Sequence, residues 1–477
     1  MRKGFAVFVL LLILSVIPSV RADTFAVSPG KLTNALAQAG DGDILELADG
    51  CYAEPEESFP LTVAAGVTIR PREGAHPVVD APAMKAAFRV EADGVTIQGL
   101  EIRFRRTGLY LIGDNVTVED CSILLADPAW RTSSCGAWMG GICGAVFRNC
   151  AFTGCGIAVA GPPLSETSHL VPVLTGLFEV GESRDFFTTH TIMDCTVNGK
   201  PLFYAVGQEY VVAPEDAGEI LIADCGEVLV RNADVSRASM GMEILYCGNV
   251  RVENSRADEC GVFGIYLAKL DEGLVTECSA RGTNHGIDIR ASRNVTVQNS
   301  RADACDQGIF FSRVDCGLVK DCIVTSTGQG YFFAGGNHCQ IYRCEAVDCE
   351  NGMNIQKEND MLITGCTLRG CTICAARLDG SPTIFAGNLL EDNWVAVMAY
   401  GSVPFDLVGN TIRGSGSCGL YLRDIAYSRI TGNTVTESAG SSVEAYGEMN
   451  ETLMTANTLD KEITTARGAV LRFAEAS

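Results

Sequence analysis

Apolar and polar positions repeat along the second half of this chain with a period close to 22 residues. A small residue opens a short apolar strand in each period, and the successive strand openings lie 22 or 23 residues apart. These openings are Gly241, Gly264, Gly286, Gly308, Gly330, Gly352, Cys374, Ala396 and Gly419. A second apolar strand follows within each period, as at residues 295–297. Strands that recur at constant spacing stack side by side, so one period predicts one turn of a solenoid.

The residues within each period favour β-strands throughout. β-branched alternation recurs with turn residues between the strands, whereas a leucine-rich horseshoe would need a recurring leucine frame. Each second strand closes on Asn or Cys, at Asn254, Cys278, Asn299, Cys322, Cys344, Cys366, Asn388, Asn410 and Asn433. In a parallel β-helix the same turn recurs about every 4.8 Å along the axis, so such residues can hydrogen-bond their counterparts. We therefore expect an all-β parallel β-helix with an interior Asn/Cys ladder.

Flanking segments complete the expected organisation. Apolar residues Leu32, Ala35, Leu36 and Ala39 recur at helical spacing and predict a helical cap over the open N-terminal end. The predicted units are a signal peptide at 1–22, a cap and first coil at 23–60, coils at 61–160, a long excursion at 161–217, regular repeats at 218–460, and a C-terminal cap or tail at 461–477.

The N-terminus is typical of an exported protein. A basic start at Arg2 and Lys3 precedes an apolar stretch too short to span a bilayer, and small residues lead to a predicted cleavage after Ala22. No later apolar run is long enough for a membrane span. Removal of residues 1–22 changes the formal net charge from −22 to −25, which disfavours nucleic acid as a partner. We expect an extracytoplasmic location, whether secreted, periplasmic or on the cell surface.

Twenty-one cysteines in an exported chain normally indicate disulfides. Their spacing indicates otherwise, because many fall on the ladder or on a second column formed by Cys260, Cys305, Cys349 and Cys371. Cysteine is small and tolerates full burial. We expect reduced, stacked interior thiols, with neighbours such as Cys344 and Cys366 open to oxidation if their geometry allows it.

One segment resembles a known family. Residues 196–204 read Thr-Val-Asn-Gly-Lys-Pro-Leu-Phe-Tyr and are followed by Asp216-Ala217-Gly218 and a fresh strand. This arrangement resembles the signature of NosD-type right-handed parallel β-helix proteins. The resemblance implies a right-handed, pectate-lyase-like β-helix, and it suggests either periplasmic copper handling, as in the protein that names the family, or a carbohydrate-related role.

Copper handling requires grouped His, Met or thiolate ligands. The five histidines, at 76, 169, 190, 285 and 338, form no HxH or HxxxH pair. The remaining metal candidates are His190, Met240 and Met242, although methionine beside a strand start is more often core filler. Copper or calcium is the cofactor candidate, and neither is required by the pattern.

Alternation after each strand opening predicts one column of residues that faces solvent. That column reads Glu243, Tyr266, Asp288, Phe310, Phe332, Asn354, Ala376, Met398 and Tyr421. Stacked outward aromatic rings suit the apolar faces of sugars, so the candidate carbohydrate-binding residues are Tyr266, Phe310, Phe332 and Asn354. The alternatives are a strip covered by a loop or partner, or aromatic stacking that only stabilises the sheet.

Charged residues beside this column are candidates for catalysis. The next outward column contributes Arg290, and the following turn holds Lys269, Arg313 and Lys357. A polysaccharide lyase needs a base and a cation or calcium near the uronate, and a hydrolase needs converging carboxylates. The candidate catalytic residues are therefore Asp288, Arg290, Arg313 and Glu243, although Glu243 and Asp288 lie two coils, about 10 Å, apart.

The sequence leaves four functions open. The first is an exported β-helix that binds extracellular or cell-envelope carbohydrate along an outward face. The first alternative is a polysaccharide lyase or glycoside hydrolase with its site near Asp288, Arg290 and Arg313 or under the excursion. The others are a NosD-like periplasmic copper-handling protein and a structural surface protein. A polysaccharide or glycoconjugate is the expected partner.

Overall fold

The computed structural model describes residues 22–162, 183–466 and 472–473. Within them the chain forms an all-β parallel solenoid of about 19 turns with very little helix, which confirms the predicted fold class. The expected signal segment and residues 163–182 of the expected excursion lie outside the described residues. In the part of the chain that is described, no helix is long and apolar enough to cross a membrane.

The first solenoid segment contains three parallel sheets, which we call A, B and C. Sheet A contains Thr24–Val27, Ile44–Leu47, Thr68–Pro71, Thr96–Gln98, Thr117–Glu119, Val146–Arg148 and Thr191–Met193. Sheet B contains Gly50–Ala53, Pro77–Asp80, Glu101–Phe104, Ser122–Leu125, Ala151–Thr153 and Thr196–Val197. Sheet C contains Leu61–Val63, Ala86–Val90, Thr107–Leu111, Cys135–Gly140 and Ile157–Ala160.

The second segment contains three further parallel sheets, D, E and F. Sheet D contains Lys200–Val206, Glu219–Ala223, Met240–Leu245, Phe263–Ala268, His285–Arg290, Gln307–Ser312, Gln329–Ala334, Asn351–Gln356, Cys374–Asp379, Val395–Tyr400, Cys418–Arg423, Val443–Tyr446 and Ile463–Ala466. Sheet E contains Tyr210–Val212, Glu227–Arg231, Asn249–Glu253, Glu272–Thr276, Val295–Gln298, Leu318–Lys320, Gln340–Tyr342, Met361–Thr364, Thr383–Ala386, Phe405–Val408, Arg429–Thr431, Leu453–Thr455 and Arg472–Phe473. Sheet F contains Ser279–Arg281, Arg301–Asp303, Ile323–Thr325, Glu345–Val347, Thr367–Arg369, Leu389–Glu391, Thr411–Arg413, Thr434–Thr436 and Thr458–Leu459.

A hairpin joins the two segments. Thr196–Val197 pairs antiparallel with the start of Lys200–Val206, which then pairs in parallel within sheet D. The two turn residues, Asn198 and Gly199, have φ values of 53° and 76°. Two successive positive φ values are what a two-residue hairpin turn of matching twist requires, and Asn-Gly supplies them at little cost. The Asn-Gly-Lys stretch of the family resemblance is therefore the point at which one solenoid segment gives way to the next.

Described helical structure is limited to α-helices at Leu32–Gln38 and Asp185–Thr188 and a short 3-10 helix at Pro128–Trp130. The predicted N-terminal helix is confirmed at Leu32–Gln38, where Leu32 and Leu36 are buried. Its N-terminus lacks a side-chain cap of its own. The carboxylate of Glu57 accepts hydrogen bonds there from the backbone N–H groups of Leu32 and Thr33, at 2.9 and 2.7 Å.

The predicted interior ladder is present, but in two coils the ladder residue lies one position later in the sequence than predicted. Asn254 and Asn299 do not occupy it, because both are exposed turn residues with positive φ, a conformation that Asn tolerates. The buried serines that follow them take the ladder position. The ladder reads Ser255, Cys278, Ser300, Cys322, Cys344, Cys366, Asn388, Asn410 and Asn433.

All twenty-one cysteines are free thiols. Only Cys51 and Cys316 are exposed and Cys143 is half-buried, whereas the other eighteen are buried. Ladder thiols such as Cys322 and Cys344 donate to backbone carbonyls of the preceding coil, Val297 and Val319, at 3.5 and 3.6 Å. Each thiol thereby acts as a small apolar residue with one weak donor.

The glycine column exists because consecutive coils approach closely at that position. A Cβ atom on Gly264 would lie 2.7 Å from the carbonyl oxygen of Gly286 and 2.9 Å from the Cβ of Ala280. In one coil the predicted opening is wrong by one residue. Cys374 pairs with Asn351, so Ala375 and not Cys374 continues the column from Gly352. The extra residue lies in the turn before Cys374, and the next coil is correspondingly shorter.

Candidate functional site

The outer surface of sheet D carries the predicted solvent-facing column. Strand pairing places these residues in register: Glu243, Tyr266, Asp288, Phe310, Phe332, Asn354, Arg377, Met398, Tyr421 and Glu444. Arg377 stands where the sequence pattern predicted Ala376. Ala376 instead pairs with Met353 and is fully buried, because the coil opens at Ala375. The prediction failed in this coil through the one-residue shift at Cys374.

In two coils of sheet D, the residue before the glycine lies beside the residue two positions after the glycine. The rings of Phe263 and Tyr266 are 4.7 Å apart between centroids, and His285 Nδ1 lies 2.8 Å from Asp288 Oδ2. Strict alternation would place these partners on opposite faces, and Phe263 was not singled out from the sequence. His285 was expected at the turn that precedes Asp288, and the structure places it against that carboxylate.

The first coils of this surface are not open to solvent. Glu243, Tyr266 and Asp288 are at most 2% exposed, which corrects the expectation that their column faces solvent here. Residues of the first solenoid segment pack against this end of sheet D. The backbone N–H of Val159 donates to Glu243 Oε2 at 3.2 Å, and Arg131 forms an ion pair with Glu259.

We call this contact between the strand Ile157–Ala160 and the start of sheet D the seam. Glu243 lies at the seam together with Glu219, which was not predicted from the sequence. Glu219 accepts backbone N–H groups of Ile157 at 2.8 Å and Met240 at 2.9 Å, so it connects the last strand of sheet C to sheet D. Burial raises the pKa of Glu219 to about 8. Burial likewise raises the pKa of Glu243 well above its usual value. Both side chains close the unpaired edge of sheet C, which is a structural task.

Asp288 and Arg290, two of the predicted catalytic residues, form a tight ion pair. Arg290 Nε and Nη2 donate to the two carboxylate oxygens of Asp288, each at 2.8 Å. Burial alone would raise the pKa of Asp288, but Arg290 and His285 outweigh it and hold that pKa below its usual value. The His285 contact is close without being an aligned hydrogen bond. Asp288 is fully buried, and both of its oxygens are engaged.

Aromatic rings enclose the guanidinium of Arg290. Its central carbon lies 5.5 Å from the ring of Phe263, 5.7 Å from that of Tyr266 and 5.0 Å from that of Phe310. Cation–π contacts of this kind are strongest when desolvated. Arg290 therefore holds the end of the aromatic strip rigid.

Beyond this cluster the surface opens. We call the following half-buried or nearly buried residues the open face: Phe310, Phe332, Asn354, Gln356, Arg377, Met398, Tyr400, Tyr421, Glu444 and Tyr446. It spans six coil-to-coil steps, roughly 30 Å at the usual strand spacing. Aromatic residues occupy both of its ends, and polar residues lie between them.

Phe310 and Phe332 stack with centroids 4.8 Å apart and planes within 1° of parallel. At the other end the rings of Tyr400 and Tyr421 are 5.7 Å apart, and those of Tyr421 and Tyr446 are 5.1 Å apart. Phe310 and Phe332 occupy the same position in successive coils, so the coil repeat sets their spacing. Tyr421 belongs to the column of Met398 and Glu444, whereas Tyr400 and Tyr446 belong to the column of Arg423, so the tyrosine rings meet diagonally across coils.

Amide groups connect the two aromatic ends. Asn354 Nδ2 donates to Gln329 Oε1 at 2.8 Å, and Gln356 Nε2 donates to Asn354 Oδ1 at 3.1 Å. Asn354 itself is 6% exposed, so it orients its neighbours more than it meets solvent. Next to them Arg377 Nη2 lies 3.3 Å from Asp379 Oδ2, while the Nε of Arg377 is buried without a hydrogen-bond partner.

Arg313, the fourth predicted catalytic residue, is exposed in the turn after the strand Gln307–Ser312. It lies in a different coil from Asp288 and forms no ion pair with any residue that the structure describes. The described residues therefore bring Asp288 and Arg290 together, while Glu243 and Arg313 lie apart from them.

The predicted metal candidates do not form a grouped site. Both ring nitrogens of His190 are engaged, with Nδ1 3.2 Å from the N–H of Ala145 and Nε2 2.7 Å from the carbonyl of Phe186. Met240 and Met242 are buried in the strand. Among the described residues no group of three or more His, Cys, Asp or Glu is arranged to hold a metal ion.

A cleft of about 440 Å³ lies beside the Asn-Gly hairpin, at the end of the expected excursion, and its acidic residues and arginines were not singled out from the sequence. It is lined by Asn198, Lys200, Asp234, Ser236, Arg237, Arg256, Asp258 and Glu259. Arg256 Nη2 lies 2.6 Å from Asp234, and its Nε lies 3.7 Å from Asp258. Burial alone would raise the pKa of Asp234, but the hydrogen bonds from Arg256 and Ser236 lower that pKa to about 2. Burial raises the pKa of Asp258. The common 22-residue spacing of these charges was the signal that could have revealed the cleft.

Comparison with known families agrees with the resemblance predicted from the sequence. The model of a right-handed β-helix region matches residues 213–341, and that of the periplasmic copper-binding protein NosD matches residues 312–469. No curated protein matches the chain.

Several solved structures are similar to the chain at low identity. Pectate lyase Pel9A is 13% identical with a TM-score of 0.27, over 69% of this chain and 78% of that one. The periplasmic alginate epimerase AlgG is 9% identical with a TM-score of 0.30, over 90% and 84%. The family 28 exopolygalacturonase of Yersinia enterocolitica is 8% identical with a TM-score of 0.31, over 93% and 78%. At such scores these likenesses carry no argument about function.

Proposed function

We propose that this protein binds carbohydrate along the open face of sheet D. The observation that carries the proposal is the combination of two half-exposed aromatic clusters, Phe310–Phe332 and Tyr400–Tyr421–Tyr446, on one continuous surface. Aromatic faces offer rigid apolar area to the C–H faces of sugar rings at little entropic cost. The amides between them supply both donors and acceptors for hydroxyl groups.

The covered part of the predicted strip has a different role in this proposal. Tyr266, Asp288 and Arg290 support Phe310 from one side instead of meeting the ligand, because Tyr266 and Asp288 are fully buried. Of the four predicted carbohydrate-binding residues, Phe310 and Phe332 offer their rings, and Asn354 positions Gln356 through its side-chain oxygen.

The proposed location is outside the cytoplasm. The basic and apolar N-terminus supports export, as does the match to a family whose model is described as a periplasmic protein. Reduced buried thiols are compatible with this location because eighteen of them are shielded from oxidants in the folded state.

Binding to a panel of polysaccharides tests the proposal. Residues 23–477 are incubated with immobilised acidic and neutral glycans, and retention is measured for wild-type protein and for Phe332→Ala and Tyr421→Ala. Each substitution removes one ring from the open face and is expected to weaken retention about 2- to 10-fold, given about 0.5–1.5 kcal/mol per aromatic contact. Tyr427→Ala is the matched control, because Tyr427 is 61% exposed in a turn after sheet D and outside the open face. Full retention by both open-face variants contradicts the proposal.

A second candidate function, glycan hydrolysis, is favoured by the cleft at the hairpin. Two carboxyl groups that share Arg256 have pKa values shifted in opposite directions, the arrangement that separates an acid from a base. In such a reaction Asp258 would donate its proton to the departing glycosidic oxygen, and Asp234 would take a proton from the water that attacks the sugar carbon. Release of reducing ends by wild type, lost in both Asp258→Asn and Asp234→Asn, supports hydrolysis. Unchanged release in the variants refutes it.

A further inference from the structure

One turn position beside the open face carries a regular row of positive charges. The turn that follows the strands of sheet D has a positive-φ residue at the same place from Asp224 to Gly447. Five consecutive members of this column read Lys269, Ala291, Arg313, Gly335 and Lys357. Each donates its backbone N–H to the next coil in the same way, so the five turns are stacked. Cations alternate with small residues, and the cations are 44 residues apart in sequence.

The spacing of the row follows from the coil repeat. Two coils correspond to about 10 Å along the axis. The small residues leave room between the cations, since the position of a Cβ on Gly335 would lie 3.6 Å from the Cγ of Arg313. Cations in successive coils would repel each other about twice as strongly as cations two coils apart.

These three cations differ from most charged residues of sheets E and F. An acid in the adjacent coil neutralises Arg343, through Asp321, and Arg429, through Asp406. At the turn row, Ala291 and Gly335 occupy the adjacent coils instead. Lys269, Arg313 and Lys357 form no ion pair or side-chain hydrogen bond within the described part of the chain.

The row borders the open face. Arg313 directly follows Gln307–Ser312, the strand that contains Phe310, and Lys357 follows Asn351–Gln356, which contains Asn354 and Gln356. Arg377, on the same face, keeps a buried Nε without a partner. An unpaired row of cations in a chain with a formal net charge of −22 is a local exception to the overall charge.

We propose that the open face takes an anionic linear polysaccharide, with Arg313 and Lys357, the two exposed cations of the row that border this face, each meeting an acidic group that recurs on one side of the glycan chain. This inference rests on the proposed carbohydrate binding and names its ligand class. The row places these cations two coils, about 10 Å, apart, so it suits a linear glycan whose acidic groups recur on one side of the chain. Charge complementarity steers association and fixes register, while the aromatic rings supply contact area.

The test uses two pairs of polymers, each with one backbone in a charged and a neutral form. Polygalacturonate is compared with its methyl ester, and dextran sulfate with dextran, so carboxylate and sulfate recognition are separated. Binding of residues 23–477 is measured by calorimetry over a range of salt concentrations. The double variant Arg313→Gln with Lys357→Gln is expected to bind polygalacturonate at least 10-fold more weakly. The slope of the logarithm of its binding constant against the logarithm of the salt concentration is expected to be smaller by about two, one for each lost contact.

The double variant Arg301→Gln with Arg369→Gln is the control, since it removes the same charge from exposed positions on sheet F. It is expected to bind as wild type does, and circular dichroism checks that all variants are folded. The inference is overturned if wild type binds polygalacturonate and its methyl ester equally and the Arg313→Gln with Lys357→Gln variant binds them as wild type does. That result leaves the carbohydrate proposal standing. Absence of binding to all four polymers overturns the inference, and absence of retention on the whole glycan panel overturns the carbohydrate proposal as well.

Discussion

Replacement of Asn410 by alanine is the sharpest test of the interior ladder. Asn410 is 2% exposed and lies between Asn388 and Asn433. Its Nδ2 donates to the carbonyl of Phe385 at 2.8 Å and to Asn433 Oδ1 at 2.9 Å. Its Oδ1 accepts the backbone N–H of Asn388 at 3.0 Å and the side-chain amide of Asn388 at 3.1 Å.

The cost of Asn410→Ala follows from the groups left behind. The N–H of Asn388 and the carbonyl of Phe385 each lose a side-chain partner inside the core. Each buried polar group left unsatisfied costs about 1–3 kcal/mol. Asn388 Nδ2 keeps its bond to Ile363 at 3.2 Å, so it adds little. We therefore expect a loss of about 2–6 kcal/mol in the free energy of unfolding.

Asn457→Ala is the matched control, because Asn457 ends the same ladder but is only half-buried. It also accepts from the coil before it, through the N–H and Nδ2 of Asn433, each at 2.9 Å. Water can replace part of this bonding, so a loss of about 1 kcal/mol is expected. Equilibrium urea unfolding compares the two, together with exchange of the Asn388 amide hydrogen. Equal losses in the two variants would refute the argument that burial of the ladder determines its strength.

Three further predictions concern the seam, the thiols and the glycine column. Between pH 4.5, the usual pKa of a glutamate, and its folded pKa of about 8, Glu219 holds a proton in the folded protein that the unfolded chain has released. The contribution of Glu219 to the free energy of unfolding is therefore fully present below about pH 4.5 and falls by up to about 1.4 kcal/mol per pH unit toward pH 8. Glu219→Gln is expected to flatten this slope in unfolding midpoints measured at pH 5, 6.5 and 8. Titration of native protein with a thiol reagent is expected to label Cys51 and Cys316 quickly, Cys143 slowly and the other eighteen only after unfolding, and rapid native labelling of more than three thiols would contradict their burial. Gly264→Ala is expected to cost about 1–3 kcal/mol, because its Cβ would meet backbone at 2.7 Å, whereas Gly40→Ala, whose nearest neighbour is a side-chain oxygen at 3.8 Å, is the control expected to change little in the same urea assay.

Patterns in the sequence by themselves determined the fold, the cap and the chemistry of the interior. A period of 22 residues with β-branched alternation predicts a solenoid, since each coil can bury its apolar face only against its neighbours. Helical spacing of apolar residues separately predicted the helix found at Leu32–Gln38, and the spacing of the cysteines predicted that the thiols are interior residues. These features depend on short-range pattern, which is fully written in the sequence.

Errors of one residue arose where local geometry departs from the mean repeat. Asn254 and Asn299 were placed in the ladder although each occupies a positive-φ turn beside it, and Ala376 was placed on the surface although it pairs with Met353 in the core. In a strand a shift of one residue exchanges the two faces, so a spacing that is correct on average still misassigns single side chains.

Tertiary contacts alone decided which part of the outward column is accessible. The packing of residues 131–159 against the start of sheet D buries Glu243, and it depends on contacts between residues about 80 to 130 positions apart. Alternation says only that a side chain leaves the core of its own coil. Whether that side chain then meets solvent, as Phe332 does, or another part of the chain, as Glu243 does, is set by the long-range approach of two solenoid segments, which no periodic pattern within either segment encodes.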